Sequence, residues 1–178
     1  DEEAVIAKGM EDQISSELTF WQSMTLLSQQ IGAAMGMYCF GWIAQTFGRK
    51  PAFLLAYVAA MLSTALVFWK LDSPYDFWMI TVMGFFQLSL FALYAIYFPE
   101  IFPTYLRSTG TSFCYNVGRY VTALFLLVSG YFTIWLAGIG VSEPFRVGAV
   151  IFCFVYIIGI IALIWAPETK GKPLPEEG

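Results

Sequence analysis

The 178-residue sequence predicts an all-α integral membrane protein, and three observations carry that expectation. Hydrophobic residues make up 58% of the chain and charged residues only 12%, against about 45–50% and about 25% in soluble domains. The charges fall in short segments that separate uncharged runs, each close to or above the roughly 20 residues an α-helix needs to cross the hydrocarbon. The alternation of transmembrane strands is absent, so helices must satisfy the backbone within the bilayer.

Five spans are expected. Residues 1–19 are polar and acidic, with Glu11, Asp12 and Glu17 among their charges, and read as an external loop leading into the first span. They have neither the basic leader nor the cleavage site of a signal peptide. Residues 20–44 carry no charge, and residues 51–70 carry only the terminal Lys70. Residues 77–98 are uncharged, residues 109–136 contain only Arg119, and residues 145–166 contain only Arg146. Residues 167–178 form the tail. The segments 46–50 and 99–108 share one side with that tail and hold Arg49, Lys50, Arg107, Lys170 and Lys172, while the other side holds Lys8, Lys70 and Arg146. That excess of positive charge puts the tail in the cytoplasm and the N-terminal segment outside. An odd number of spans with an external start, and no Met at position 1, leads us to expect further sequence upstream.

Composition also excludes functions. The chain has no histidine, which rules out Ser-His-Asp triads and histidine-ligated zinc or haem within it. Cys39, Cys114 and Cys153 each lie in an apolar run, far apart, without CxxC spacing. No metal or other cofactor is expected. A net charge of −4 without a basic block argues against nucleic-acid partners.

Polar residues inside the spans carry the functional information. The second and fifth spans are almost uniformly apolar, as lipid-facing helices are. The first places Gln22, Thr25 and Gln29 on one face that continues through Gly32 and Gly36, with Gln30 beside it. The third has Gln87 at its centre, and the fourth a stripe of Ser112, Asn116, Arg119 and Thr122. Polar groups at membrane depth are expensive and face a bundle interior or a wet cavity, so a cavity lined by the first, third and fourth spans is expected. Gln29, Gln30, Gln87 and Asn116 are candidates for solute contact, with interhelical hydrogen bonding as the alternative. The segment Gly32-Ala33-Ala34-Met35-Gly36 reads as a close-packing face for another helix. Arg119 lies about 18 Å along a helix from Arg107, near mid-bilayer, where an unpaired guanidinium costs at least about 3 kcal/mol. Its expected partner is Glu100, a residue upstream of this chain, or an anionic solute.

The cytoplasmic turns carry a resemblance. Gly41-Trp42-Ile43-Ala44-Gln45-Thr46-Phe47-Gly48-Arg49-Lys50 resembles the turn motif Gly-x-x-x-Asp-Arg-x-Gly-Arg-Arg/Lys of major facilitator superfamily transporters. Gln45 and Thr46 replace its Asp and Arg, as is typical of the motif's second copy. Pro99-Glu100-Ile101-Phe102-Pro103-Thr104-Tyr105-Leu106-Arg107, continuing to Gly118-Arg119, is similar to the turn between the tenth and eleventh helices of sugar-porter-like and organic-acid members. Pro167-Glu168-Thr169-Lys170-Gly171 resembles the sugar-porter signature after the twelfth helix.

The resemblance implies the C-terminal half of a twelve-helix bundle, with the five spans standing as helices eight to twelve and helices nine and twelve peripheral. It implies seven further helices upstream, the bilayer and a small solute as partners, and a bacterial inner membrane. It also implies a secondary active transporter moving a sugar or an organic anion by alternating access, not an enzyme. A non-transporting sensor or a channel-like protein on the same scaffold is the alternative. In the family, charge clusters at cytoplasmic helix ends hold that side closed, which carries a gating role onto Arg49, Glu100, Arg107 and Glu168. Gly41 and Gly48 would permit the tight turn and close helix approach that such a gate needs.

Overall fold

The computed structural model describes residues 2–71, 74–173 and 175. Helix α1 (Glu2–Phe47) is followed after a single residue by α2 (Arg49–Lys70). A short 3-10 turn (Pro74–Phe77) leads into α3 (Trp78–Ile101), and then come α4 (Arg107–Gly138), α5 (Pro144–Phe152) and α6 (Val155–Ala162). Among the described residues, four segments are long and apolar enough to cross a membrane: α2, α3, α4, and α5 with α6 taken as one run, Pro144–Ala162. Where α5 meets α6 the backbone tightens without turning back, and Phe154, Tyr156 and Ile157 each donate three residues back.

The loop expected over residues 1–19 is helical from Glu2, and α1 runs for 46 residues, about 70 Å. No proline occurs before Pro51, and Glu, Ala, Lys, Met, Gln and Leu are good helix formers, so nothing local stops the helix. The first expected span, residues 20–44, lies inside α1 but is not among the four apolar segments. Gln22, Ser23, Thr25, Ser28, Gln29 and Gln30 dilute its hydropathy.

Helix α3 is the centre of the bundle, packed along α1 on one side and α2 on another. The contact with α1 is made backbone to backbone. A Cβ added to Gly32 would collide with the Thr81 carbonyl, one on Gly36 with the Phe85 carbonyl, and one on Gly84 with the Gln29 carbonyl. The face expected from Gly32 to Gly36 therefore does receive another helix, with Ala33 only 2% exposed between the two glycines. The Ser28 and Thr81 hydroxyls meet across it at 2.6 Å.

The apolar surface of α2 is divided by size. Ala52, Ala56 and Ala60, four residues apart, are fully buried and Phe53 and Tyr57 buried beside them, whereas Leu54, Leu55, Val58, Leu62 and Leu66 are exposed. The alanine side lets α3 come close, and aromatic rings fill the rest: Phe53 lies against Tyr94 and Tyr97, and the Tyr57 and Tyr94 hydroxyls bond at 2.6 Å. The second span, expected to face lipid, is thus exposed on one side only and forms the core on the other. Helix α4 is the opposite case. It packs on α5 and on α3, makes no extended contact with α1, and buries only Leu136. The cavity expected between the first, third and fourth spans is accordingly not closed by these helices alone.

Because α1 and α3 touch through backbone, a side chain at Gly36 must push them apart. Gly36→Leu is expected to destabilise the protein by at least about 1–3 kcal/mol. Gly138→Ala, with nothing within 4 Å of its added methyl, is expected to be neutral. Thermal unfolding of the detergent-purified native protein measures both, and equal midpoints for the two variants would refute the backbone contact.

Candidate functional site

The turn between α1 and α2 is one residue long, and its backbone conformation explains the glycine. Gly48 has φ 111°, a region that side chains disfavour. A Cβ there would also lie 3.0 Å from the Glu168 carboxylate. The sharp turn leaves the first amides of α2 without partners in their own helix. Glu168, from the tail, takes them: Arg49 N–H donates to Oε1 and Lys50 N–H to Oε2, each at 2.9 Å. A carboxylate at a helix N-terminus also meets the positive end of the helix dipole.

The Arg49 side chain faces the other way and forks onto Glu100 at the end of α3. Nε donates to Oε2 at 3.0 Å and Nη2 to Oε1, while Nη1 donates to the Ala44 carbonyl at 2.9 Å. The two side chains are only 14% and 20% exposed, so this bidentate pair is better shielded than an ordinary surface ion pair. The tail adds three bonds: Thr169 Oγ1 donates to Glu100 Oε2 at 2.6 Å, Lys170 Nζ to the Thr46 carbonyl, and Tyr97 OH to the Pro167 carbonyl at 2.7 Å. Three segments far apart in sequence are thereby latched at one end of the bundle, beside a cleft of about 270 Å³.

Of the residues expected to form a gate, Arg49, Glu100 and Glu168 come together, and Gly48 makes their approach possible. Arg107 stands apart from them: its Nε donates to the Pro99 carbonyl at 2.9 Å. Gly41, expected to permit close helix approach, has nothing within 4 Å of a Cβ added to it. Sequence reasoning missed Thr169 and Tyr97. Thr169 sits inside the recognised tail motif and was legible there, but Tyr97 lies in an aromatic run and gave no signal.

The polar residues inside the spans divide. Gln29 Nε2 donates to Gln87 Oε1 at 3.3 Å across the α1–α3 contact. Gln87 also borders a cleft of about 410 Å³ with Thr64, Ser129, Thr133 and Tyr156. Gln30 is exposed, and Asn116 is exposed and bonded to the Ser112 carbonyl of its own helix. Arg119 is exposed and has no hydrogen bond or ion pair among the described residues. Glu100, one of its expected partners, is occupied by Arg49 and Thr169. Among the described residues no three His, Cys, Asp or Glu side chains lie together. The arrangement offers charge pairing and hydrogen bonding.

Burial pushes the Glu168 carboxyl up, but the backbone N–H groups of Arg49, Lys50, Lys170 and Thr169 outweigh it and hold the group below the usual carboxylate range. A carboxylate depressed in the docked state supports docking at neutral pH, and that support is lost as pH falls through its docked value. A fluorophore on Lys172→Cys, in a cysteine-free background, is expected to gain mobility on acidification through the carboxylate range. Glu168→Gln is expected to loosen the tail and to flatten that pH dependence. Unchanged anisotropy in both experiments would remove Glu168 as the tail's anchor.

The family model described as Major Facilitator Superfamily matches residues 8–178. The chain is 28% identical over 157 residues to a Haemophilus influenzae protein named "Putative metabolite transport protein", covering 86% of this chain and 35% of that one. It is 28% identical over 155 residues to the Escherichia coli inner membrane metabolite transport protein YhjE, covering 84% and 33%. A Cupriavidus pinatubonensis protein named "Probable 4-methylmuconolactone transporter" is 25% identical over 157 residues, covering 87% and 35%. The chain thus spans about a third of the length of these curated relatives. No solved structure matches it. With the family model covering nearly the whole chain and transport-protein relatives aligned along it, the chain belongs to the major facilitator superfamily.

Proposed function

We propose that this chain is the C-terminal portion of a secondary active transporter that moves a small polar solute by alternating access. The observation that carries the reading is the latch, in which Arg49, Glu100 and Glu168 join the α1–α2 turn, the end of α3 and the tail. Charge pairs at helix ends can form in one conformation and break in another, as alternation between two accessible states requires. In this reading residues 20–44 of α1 span the bilayer with the four apolar segments, and the latch face and tail are cytoplasmic. Seven upstream helices cover the exposed faces of α1 and α4, and the solute site lies between the two halves. A bacterial inner membrane is the proposed location, in keeping with the name of the E. coli relative.

The proposed solute is an organic anion, contacted by Arg119 and Asn116 of α4 and, from other helices, by Gln29, Gln30 and Gln87. Arg119 favours that class over a sugar because its charge, at membrane depth, has no partner among the described residues. The name of the C. pinatubonensis relative points to an organic metabolite as well. Counterflow of labelled solute in proteoliposomes tests the reading: a carrier exchanges and saturates, whereas a sensor shows no flux and a channel no saturable exchange. Arg119→Ala is expected to lower uptake at least about tenfold with expression intact, which corresponds to about 1.4 kcal/mol. Unchanged uptake of an organic anion by that variant would take Arg119 out of the mechanism.

A further inference from the structure

The end of α3 contains a backbone group that its own helix cannot satisfy. In an α-helix the carbonyl of residue 99 accepts from the N–H of residue 103. Residue 103 is Pro103, which has no N–H. Helix α3 ends at Ile101, and Phe102 turns to an extended conformation, φ −89° and ψ 139°. The donor to Pro99 comes instead from Arg107, the first residue of α4, through Nε at 2.9 Å. Its Nη2 reaches Thr104 Oγ1 at 3.4 Å within the same turn. A cation at this place also complements the negative end of the α3 dipole. The turn is tight on its other side as well, since a Cβ added to Gly110 would fall 2.6 Å from the Phe102 ring.

Glu100 is the residue directly after the clasped carbonyl, and its carboxylate closes the latch on Arg49. We propose that Arg107 is a positioning residue for Glu100: by clasping the Pro99 carbonyl it holds the last turn of α3 in the place where Glu100 meets Arg49. Among the described residues, Arg107 thereby acts on the latch through backbone. The same clasp ties the latch to the start of α4, the helix that carries Arg119. The proposal deepens the gating reading above, but its readout is docking of the tail and does not depend on transport.

The test uses the native protein in lipid nanodiscs, with the Lys172→Cys fluorophore reporting the docked fraction. Arg107→Ala is expected to lower docking severalfold, and Arg107→Lys, which keeps a donor, to recover most of it. In a Glu100→Gln background, where the carboxylate is already disabled, Arg107→Ala should add little. Equal losses in the native and Glu100→Gln backgrounds, or no loss in the native one, would overturn the proposal. Thermal midpoints within a few degrees of the parent separate positioning from misfolding. Absent counterflow with this coupling pattern intact would reject the transporter reading and leave the clasp standing.

Discussion

The backbone contact between α1 and α3 at Gly32, Gly36 and Gly84 sets the position of the latch. Helices that meet through carbonyl oxygens have little freedom to slide or rotate, because every small shift meets a hard atom. Once α1 is seated on α3, the one-residue turn at Gly48 determines where α2 begins. The start of α2 then lies beside the end of α3, within reach of Glu100. The alanine face of α2 completes the arrangement by letting the same central helix pack closely on its second side. In a bilayer, where hydrophobic burial gives helices little reason to associate, such close packing is the main source of specificity.

The latch built on that frame uses two kinds of electrostatics. Arg49 and Glu100 form a bidentate side-chain pair, while Glu168 is held chiefly by backbone amides at the start of α2. The first depends on side-chain geometry at two helix ends. The second depends on the helix itself and on the positive φ of Gly48, which exposes those amides. Because Thr169 bonds Glu100 while its neighbour Glu168 bonds the α2 amides, docking of the tail joins the two carboxylates into one unit. Loss of either is expected to weaken the other, since the tail must satisfy both at once.

Helix α4 stands in contrast to this tightly built end. It carries Asn116 and Arg119 on a face that no other described helix covers. An exposed guanidinium in a membrane-spanning segment is not a stable end state, so the proposed function assigns that face to upstream helices and a solute. Under that reading the ordered latch and the uncovered polar stripe are the two ends of one machine, joined through the turn at Pro99 and Arg107.

Much of this was legible in the sequence, and the limits are instructive. Long apolar runs with few charges marked α2, α3, α4 and the α5–α6 run, because crossing hydrocarbon is a local requirement on composition. The glycines from Gly32 to Gly36 announced a helix contact, and the motif residues Arg49, Glu100 and Glu168 announced the latch. The helix over residues 2–19 was not foreseen, because acidic composition was read as a loop although no residue there breaks a helix. The buried side of α2 was hidden because alanine and leucine count alike as apolar and differ only in the approach they allow. What the sequence by itself determined is the apolar lengths able to cross a membrane and the residues able to pair. Only the tertiary structure decided the pairing: that Glu168 reaches across 119 positions to Arg49, that Glu100 is taken, and that Arg107 serves a carbonyl. Element formation follows from local composition and hydrogen-bonding capacity, whereas choice of partner depends on where distant segments come to rest.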